Sequence, residues 1–295
     1  MASQTRSRPF LRGQTQRRVW SFARILDLGA ILILLLGAML MVLPFVWMFS
    51  TSLRPSAESF RLPPAWFPTE WHWENYATVF RATVPILRFA RNSVFVTFCV
   101  TAGQLITCSM AGYAFARVRF PGRNFLFVVL LASLMVPGQV TIIPVFIIMR
   151  QLGLVDNLWS IILPFLTSAF GVFLLRQHFM TMPQDLFDAA KIDGAGQWLM
   201  FRRIALPLAG PSLAALAILT FNATWNNYFY PLVFLNTAEN MTLPLGITAL
   251  RGSFGSGNPS VVMAAISMTI LPILLVFLLA QRWFIAGVTQ TGLKG

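Results

Sequence analysis

From Leu28 to Met48 the chain runs for 21 residues without a charged side chain. No other feature constrains its folding as much. Coiled as a helix, such a run crosses the roughly 30 Å hydrocarbon core of a bilayer. Backbone N–H and C=O groups in hydrocarbon must find partners within the segment, so a run of this kind is helical. Five more apolar runs follow, and the six spans are about 28–50, 93–116, 125–149, 158–175, 210–235 and 261–284. The third contains Pro137, Gly138 and Pro144, so it should bend, break or surface early. Composition agrees, with 57% hydrophobic and only 11% charged residues, where a soluble domain carries about a quarter charged. The expectation is an all-α integral membrane protein with six transmembrane helices.

A signal peptide would have a shorter apolar core ending in a small-residue cleavage site. The first run reads as a retained helix behind a basic arm, residues 1–24, which holds Arg6, Arg8, Arg12, Arg17, Arg18 and Arg24. The membrane domain is then 25–285 and the tail 286–295. With the N-terminus inside, fifteen of the 22 Lys and Arg residues fall on inner segments and seven on outer ones. That bias places both termini on the cytoplasmic side of the membrane. The net charge of +13 therefore does not call for nucleic acid. The basic residues lie between apolar runs and form no soluble basic face.

Cys99 and Cys108 share one run, nine residues and about 13 Å apart along a helix, too far for a mutual disulfide. With His72 and His178 the only histidines, no structural zinc site is visible. The outer loop, about 51–92, carries Pro55, Pro63, Pro64, Pro68 and several aromatics. It reads equally as a short structured cap or as a connection with interfacial aromatics. Asp156, in a short outer loop, reads as a solvated acid, and Asp27 as one half of an interfacial pair with Arg24.

The loop 180–208 between the fourth and fifth spans is the most informative stretch. Pro183 suits a first helical position and Asp185 a first turn, where the helix dipole favours a carboxylate. Gly194 suits a left-handed stop. A second helix then runs from Gln197 to Leu206, stopped by Pro207. Ala189 and Ala190 leave one face shallow, flanked by Asp188, Lys191 and Asp193. Periodicity alone fits an amphipathic helix on the membrane surface as well as a docking element.

The run Asp188-Ala189-Ala190, Gly194, Ile204 and Leu206-Pro207 resembles the EAA motif of binding-protein-dependent ABC importer permeases, in spacing at every fixed position. Ile192-Asp193-Gly194-Ala195, the segment Pro207–Pro211 and the tail from Gln281 to Gly295 are similar to the MalG-like carbohydrate branch. Asp188 departs from the motif's Glu, keeping the acid with a shorter reach. The resemblance implies a MetI-like type I ABC importer permease fold in the cell (inner) membrane. It implies that the loop is a coupling helix seated on a cytoplasmic ATPase subunit, with Asp188, Ala189, Ala190, Asp193, Gly194, Ile204 and Pro207 as coupling residues. It also implies the partners: a second homologous permease, two ATPase subunits holding ATP and Mg, and an extracytoplasmic solute-binding protein that delivers a sugar.

Span five carries Asn222, Thr224, Trp225, Asn226, Asn227 and Tyr228. Polar side chains at membrane depth either hydrogen-bond between helices or line a passage. On the second reading Asn222, Trp225, Asn226 and Tyr228 would face a sugar. Gln104, Thr107, Ser109 and Ser133 carry a weaker form of the same signal. No phosphate-binding Gly-x-x-x-x-Gly-Lys-Ser/Thr loop, nucleophile elbow or His-Glu-x-x-His occurs. The chain is expected to be neither an enzyme nor the holder of a cofactor or metal. A proton-driven carrier would need acids within the spans. A membrane enzyme would need clustered polar groups at an interface. A permease of the same superfamily for glycerol phosphate or peptide stays open.

Overall fold

In the computed structural model the described residues are 12–59, 66–81, 84–251 and 257–292, with side chains described only for 28–279 within them. Every regular element among them is helical. The order is α1 (Arg12–Ser52), α2 (Ser56–Ser59), α3 (Glu74–Arg81), α4 (Ile86–Arg117), α5 (Arg123–Ser133), α6 (Gly138–Gln151), α7 (Ala169–Thr181), α8 (Gln184–Ile192), α9 (Gln197–Met200), α10 (Leu206–Leu208), α11 (Gly210–Trp225), α12 (Phe229–Phe234), α13 (Leu243–Ala249) and α14 (Pro259–Gly292). Four helical stretches are long and apolar enough to cross a membrane, and two bent pairs bring the number to six if each is one span. The first helix reaches back to Arg12, into the segment read as an arm. Residues 1–11 and 293–295, and the side chains of Arg24, Asp27 and the tail, lie outside the described set.

The third span breaks by 103° between α5 and α6. Pro137 is extended there, with ψ 133°, and Tyr230 Oη donates to the Gly138 carbonyl at 3.1 Å. The fourth span is irregular at its start. Two 3-10 turns, Leu158–Ile161 and Leu163–Phe165, precede α7, whose N-cap Ser168 accepts from the Gly171 N–H at 3.1 Å. Such a break frees backbone carbonyls at membrane depth, and α4 supplies their donors. Gln104 Nε2 donates to Phe165 O at 2.9 Å, Thr107 Oγ1 to Leu166 O at 2.6 Å and Cys108 Sγ to Ser168 O at 3.5 Å. Gln104 Oε1 in turn accepts from Thr220 Oγ1 at 2.8 Å. Gln104, Thr107 and Cys108 therefore bond between helices, which is how irregular backbone is tolerated in a bundle, whereas Ser109 Oγ donates within α4 to Ile106 O at 3.0 Å.

The fifth span also departs from expectation. Read as continuous over 210–235, it stops at Trp225 and resumes as α12. Asn226 and Asn227 divert the chain, with Asn226 Nδ2 donating to Asn222 O at 2.9 Å and Asn227 Oδ1 accepting from the Tyr230 N–H at 3.3 Å. α4 packs on α7 and α11, and α11 packs on α14. Gly112 lets α4 and α7 close: a Cβ there would stand 3.0 Å from the Arg176 backbone nitrogen and 3.1 Å from Leu175 Cβ. In contrast α1 touches α14, and its most apolar stretch buries nothing within the chain.

The outer loop is a structured cap where it is described. Asn75 Nδ2 donates to Ser52 O and Arg54 O, both at 2.9 Å, and so ties α3 to the end of α1. Asp156 is not simply solvated. Its φ of 59° is left-handed, and its carboxylate accepts from the N–H groups of Asn236 at 2.9 Å and Thr237 at 3.0 Å. Its carbonyl accepts from Asn240 Nδ2 at 2.6 Å. Burial pushes the carboxyl pKa up, but the Thr237 and Asn236 donors outweigh it and hold the group below the usual carboxylate range. A depressed folded pKa adds stability above the unfolded value of about 3.9 and loses it as pH falls through the folded value. Asp156→Ala should therefore destabilise the chain at neutral pH by about 1 kcal/mol after solvent screening. The gap in melting temperature should narrow below about pH 4. Equal melting temperatures at pH 7, or a gap that widens on acidification, contradict the clasp.

Candidate functional site

Helix α8 hangs from the bundle on a few fastenings. Pro183, with ψ 134°, is still extended and stands just before the helix, not as its first residue. Phe187, 2% exposed, is the one buried side chain of α8. It lies under the Arg117 guanidinium, 4.3 Å from Cζ to ring centre, and beside Tyr113 at 6.5 Å. Tyr113 also meets Phe179 at 5.8 Å and Phe201 at 5.2 Å, and its hydroxyl donates to Gln197 Oε1 at 3.1 Å. Arg117 donates to Phe179 O at 2.7 Å, Met182 O at 2.5 Å and Gln184 Oε1 at 2.6 Å. A cation is thus placed on the unpaired carbonyls that end α7, where the helix dipole favours it. One residue of α4 joins the end of α7 to the start of α8.

The far end of α8 stops at Gly194, φ +78°. Gly194 N donates to Lys191 O at 3.0 Å and Ala195 N to Ala190 O at 2.9 Å. These are the two bonds of a Schellman stop. The second helix does not end at Leu206. A π turn, Phe201–Ala205, widens it and α10 carries it to Leu208. Pro207 removes an N–H and crowds the carbonyl four residues back, and a π turn is a common way to accommodate such a mismatch. The chain then bends by 76° into α11.

The expected coupling residues divide by direction. Ala190 and Ile204 pack partly buried against the cluster of Phe187, Tyr113 and Phe201. Asp188, Ala189, Asp193, Gly194 and Pro207 are exposed. Beside them stand exposed apolar side chains, namely Ile192 at 87%, Trp198 at 61% and Leu186 at 45%. Asp188 accepts from Gln184 Nε2 at 3.0 Å and pairs with Lys191 at 3.4 Å. The Gln184 amide, then Lys191, hold its carboxyl below the usual range.

The expected passage residues separate as well. A cavity of about 560 Å³ lies between α4, α11, α12 and the approach to α7, and Asn222 lines it with Gln104, Thr220, Thr224, Asn227 and Thr242. Trp225 is not among its lining. It is 3% exposed, stacked on Phe221 at 5.7 Å, and its Nε1 donates to Thr269 O at 3.1 Å. Asn226 bonds back to Asn222, and Tyr228 is exposed outside the lining. Thr224 and Asn227 are among the polar residues the sequence points to in span five, though not among the four expected to face a sugar, and Thr220 is not among them at all. The i, i+4, i+7 spacing of Thr220, Thr224 and Asn227 is a signal that could have picked out this face.

The sequence pattern described as binding-protein-dependent transport system inner membrane component matches residues 105–290. The chain belongs to this family. The permease is therefore a multi-pass membrane protein and a transport subunit of the ABC importer type. It is 38% identical over 260 residues to the arabinooligosaccharides transport system permease protein AraQ of Halalkalibacterium halodurans, covering 88% of this chain and 93% of the relative. It is 34% identical over 274 residues to the sn-glycerol-3-phosphate transport system permease protein UgpE of Yersinia pestis, covering 91% and 98%. Its fold is similar to a chain in the crystal structure of a bacterial ABC transporter involved in the import of the acidic polysaccharide alginate. The TM-score is 0.77 at 24% identity, over 94% of this chain and all of that one.

Proposed function

We propose that this permease forms half of the membrane passage of an ATP-driven carbohydrate importer, and that α8 is the element on which an ATPase subunit acts. The observation that carries this reading is the construction of α8. Its inner face is fastened to α4 and α7 through Phe187 and Arg117, and its outer face presents Leu186, Ala189 and Ile192 without cover. A partner pressing on that face moves a body already joined to two spanning helices, a rigid-body mode of switching. ATP and Mg belong to the ATPase subunits. A second homologous permease completes the passage, and an extracytoplasmic binding protein delivers the solute. Relatives named for arabinooligosaccharides support a carbohydrate cargo. The cavity supports a neutral one, since Asn222, Thr220, Thr224, Asn227 and Gln104 offer hydroxyls and amides with no charged neighbour in the lining. A phosphate ester would lack a counter-charge there, and unpaired charge is costly at membrane depth.

The test is uptake by the assembled complex in proteoliposomes, with its binding protein and ATP. Neutral oligosaccharide should accumulate only when both are present, and the isolated chain should hydrolyse no ATP. Uptake confined to sn-glycerol phosphate reassigns the cargo, and hydrolysis by the isolated chain sinks the transport-subunit reading. Orientation has its own check, because Lys191 and Lys294 are the chain's two lysines. A membrane-impermeant amine reagent should label neither in right-side-out vesicles and both in inverted vesicles stripped of ATPase. Labelling of Lys191 from outside reverses the topology.

A further inference from the structure

We propose that the groove between the 118–122 loop and α8 binds the headgroup of an anionic phospholipid. The groove has a volume of about 910 Å³, and its lining includes Arg117, Arg119, Arg123 and Lys191 against one carboxylate, Asp188. Arg117 is spent on the carbonyls at the end of α7, and Lys191 is paired with Asp188. Two cations are left over. Arg119 is exposed and has no partner among the described residues. Arg123 makes one long bond, 3.4 Å from Nη1 to Val118 O, and lies within electrostatic reach of a further cation, Arg176. So many cations around one carboxylate repel one another, and an anion in the groove relieves that repulsion.

Placement decides which anion. α4 ends at Arg117 and α5 begins at Arg123; α4 is long and apolar enough to cross a membrane, and α5 is the first half of a bent pair that is so when taken together. The short loop between them therefore lies at headgroup depth. Arg119 and Arg123 also line a second concavity, about 370 Å³, together with Phe120 and Phe125. From that edge α5 runs off with Phe125 71% exposed and Val128 61% exposed. Cations at the mouth and an apolar helix face beside it match an amphipath with a negative head and acyl chains. Because Arg117, Gln184, Asp188 and Lys191 also border the groove, a bound headgroup braces α8 against α4. Anionic lipid would then tune how firmly α8 is seated.

The experiment uses the intact complex extracted from membranes, exchanged into phosphatidylcholine nanodiscs with or without phosphatidylglycerol. Lipid retained after mild delipidation is counted by mass spectrometry. Wild type should retain phosphatidylglycerol in preference to phosphatidylcholine. Arg119→Gln with Arg123→Gln should reduce that preference about 25-fold, at about fivefold for each cation near the membrane surface. Arg119→Lys with Arg123→Lys should keep it, which separates charge from misfolding. An unchanged preference in the Gln pair overturns the proposal. So does displacement of the lipid by inorganic phosphate alone, which would make the ligand a soluble anion. Loss of ATPase subunits from the Gln pair in detergent, with lipid retention intact, would instead give the groove to a protein partner.

Discussion

Gly194→Val is expected to reduce binding-protein-stimulated uptake at least tenfold while the chain still reaches the membrane at its normal level. Gly194 holds φ +78° and closes both bonds of the stop after α8. A β-branched residue in that left-handed region costs about 1–2 kcal/mol. No atom lies within 4 Å of where its Cβ would be, so the cost falls on the backbone alone. The last turn of α8 would unwind and displace Ile192. The spanning helices are untouched, so insertion and pairing should persist. Gly194→Asn is the control, since Asn is the next most tolerant residue at such a stop, and it should keep most uptake. Ala189→Asp should imitate Gly194→Val by a different route, placing a charge on the exposed face without altering the helix. ATPase retained on purification, uptake and membrane level together decide it. Normal uptake by both Gly194→Val and Ala189→Asp would leave α8 as no more than a surface helix.

Gly112→Leu should behave in the opposite way, lowering the amount of folded chain itself. The Cβ alone would press on the Arg176 nitrogen at 3.0 Å and the Val172 carbonyl oxygen at 3.2 Å. Both are backbone atoms of α7, which cannot rotate aside as a side chain can. Overpacking of this kind costs about 3 kcal/mol, more than the roughly 1 kcal/mol of helix propensity gained by replacing glycine. The α4–α7 seam also carries Arg117 and the seat of Phe187, so forcing it apart should damage uptake, level and thermal stability together. Gly112→Ala should cost less than Gly112→Leu, because its single methyl asks α7 to move by only a few tenths of an ångström and adds nothing beyond the Cβ. A Gly112→Leu chain that melts and accumulates like wild type would mean that α4 and α7 are not packed this closely.

The parts of this fold that were legible in the sequence are those governed by one residue's backbone chemistry or by a long uniform run. Pro137 and Gly138 announced the break in the third span, and Gly194 its own left-handed stop. The uncharged length from Leu28 required a spanning helix. The parts that were not legible depend on partners distant in sequence. Trp225 looked like a sugar platform among asparagines, but Phe221 and the Thr269 carbonyl claim it. Asp156 looked solvated because its donors, Asn236 and Thr237, lie some 80 residues away. The irregular start of the fourth span depends on Gln104 and Thr107 to satisfy its carbonyls. Pro207 misled for a related reason. A proline usually ends a helix, but the π turn ahead of it relieved the clash and let the helix run on.

The most direct measurement is a photo-crosslink from α8 in the native membrane. A photoreactive residue at position 192 replaces a side chain that is 87% exposed, and one at position 187 replaces a side chain that is 2% exposed. Ultraviolet irradiation followed by mass spectrometry should join position 192 to an ATPase subunit, with a yield that changes when ATP is supplied. Position 187 should react within its own chain. Adducts from position 192 to lipid only, or an ATPase adduct from position 187 and none from 192, would contradict the account.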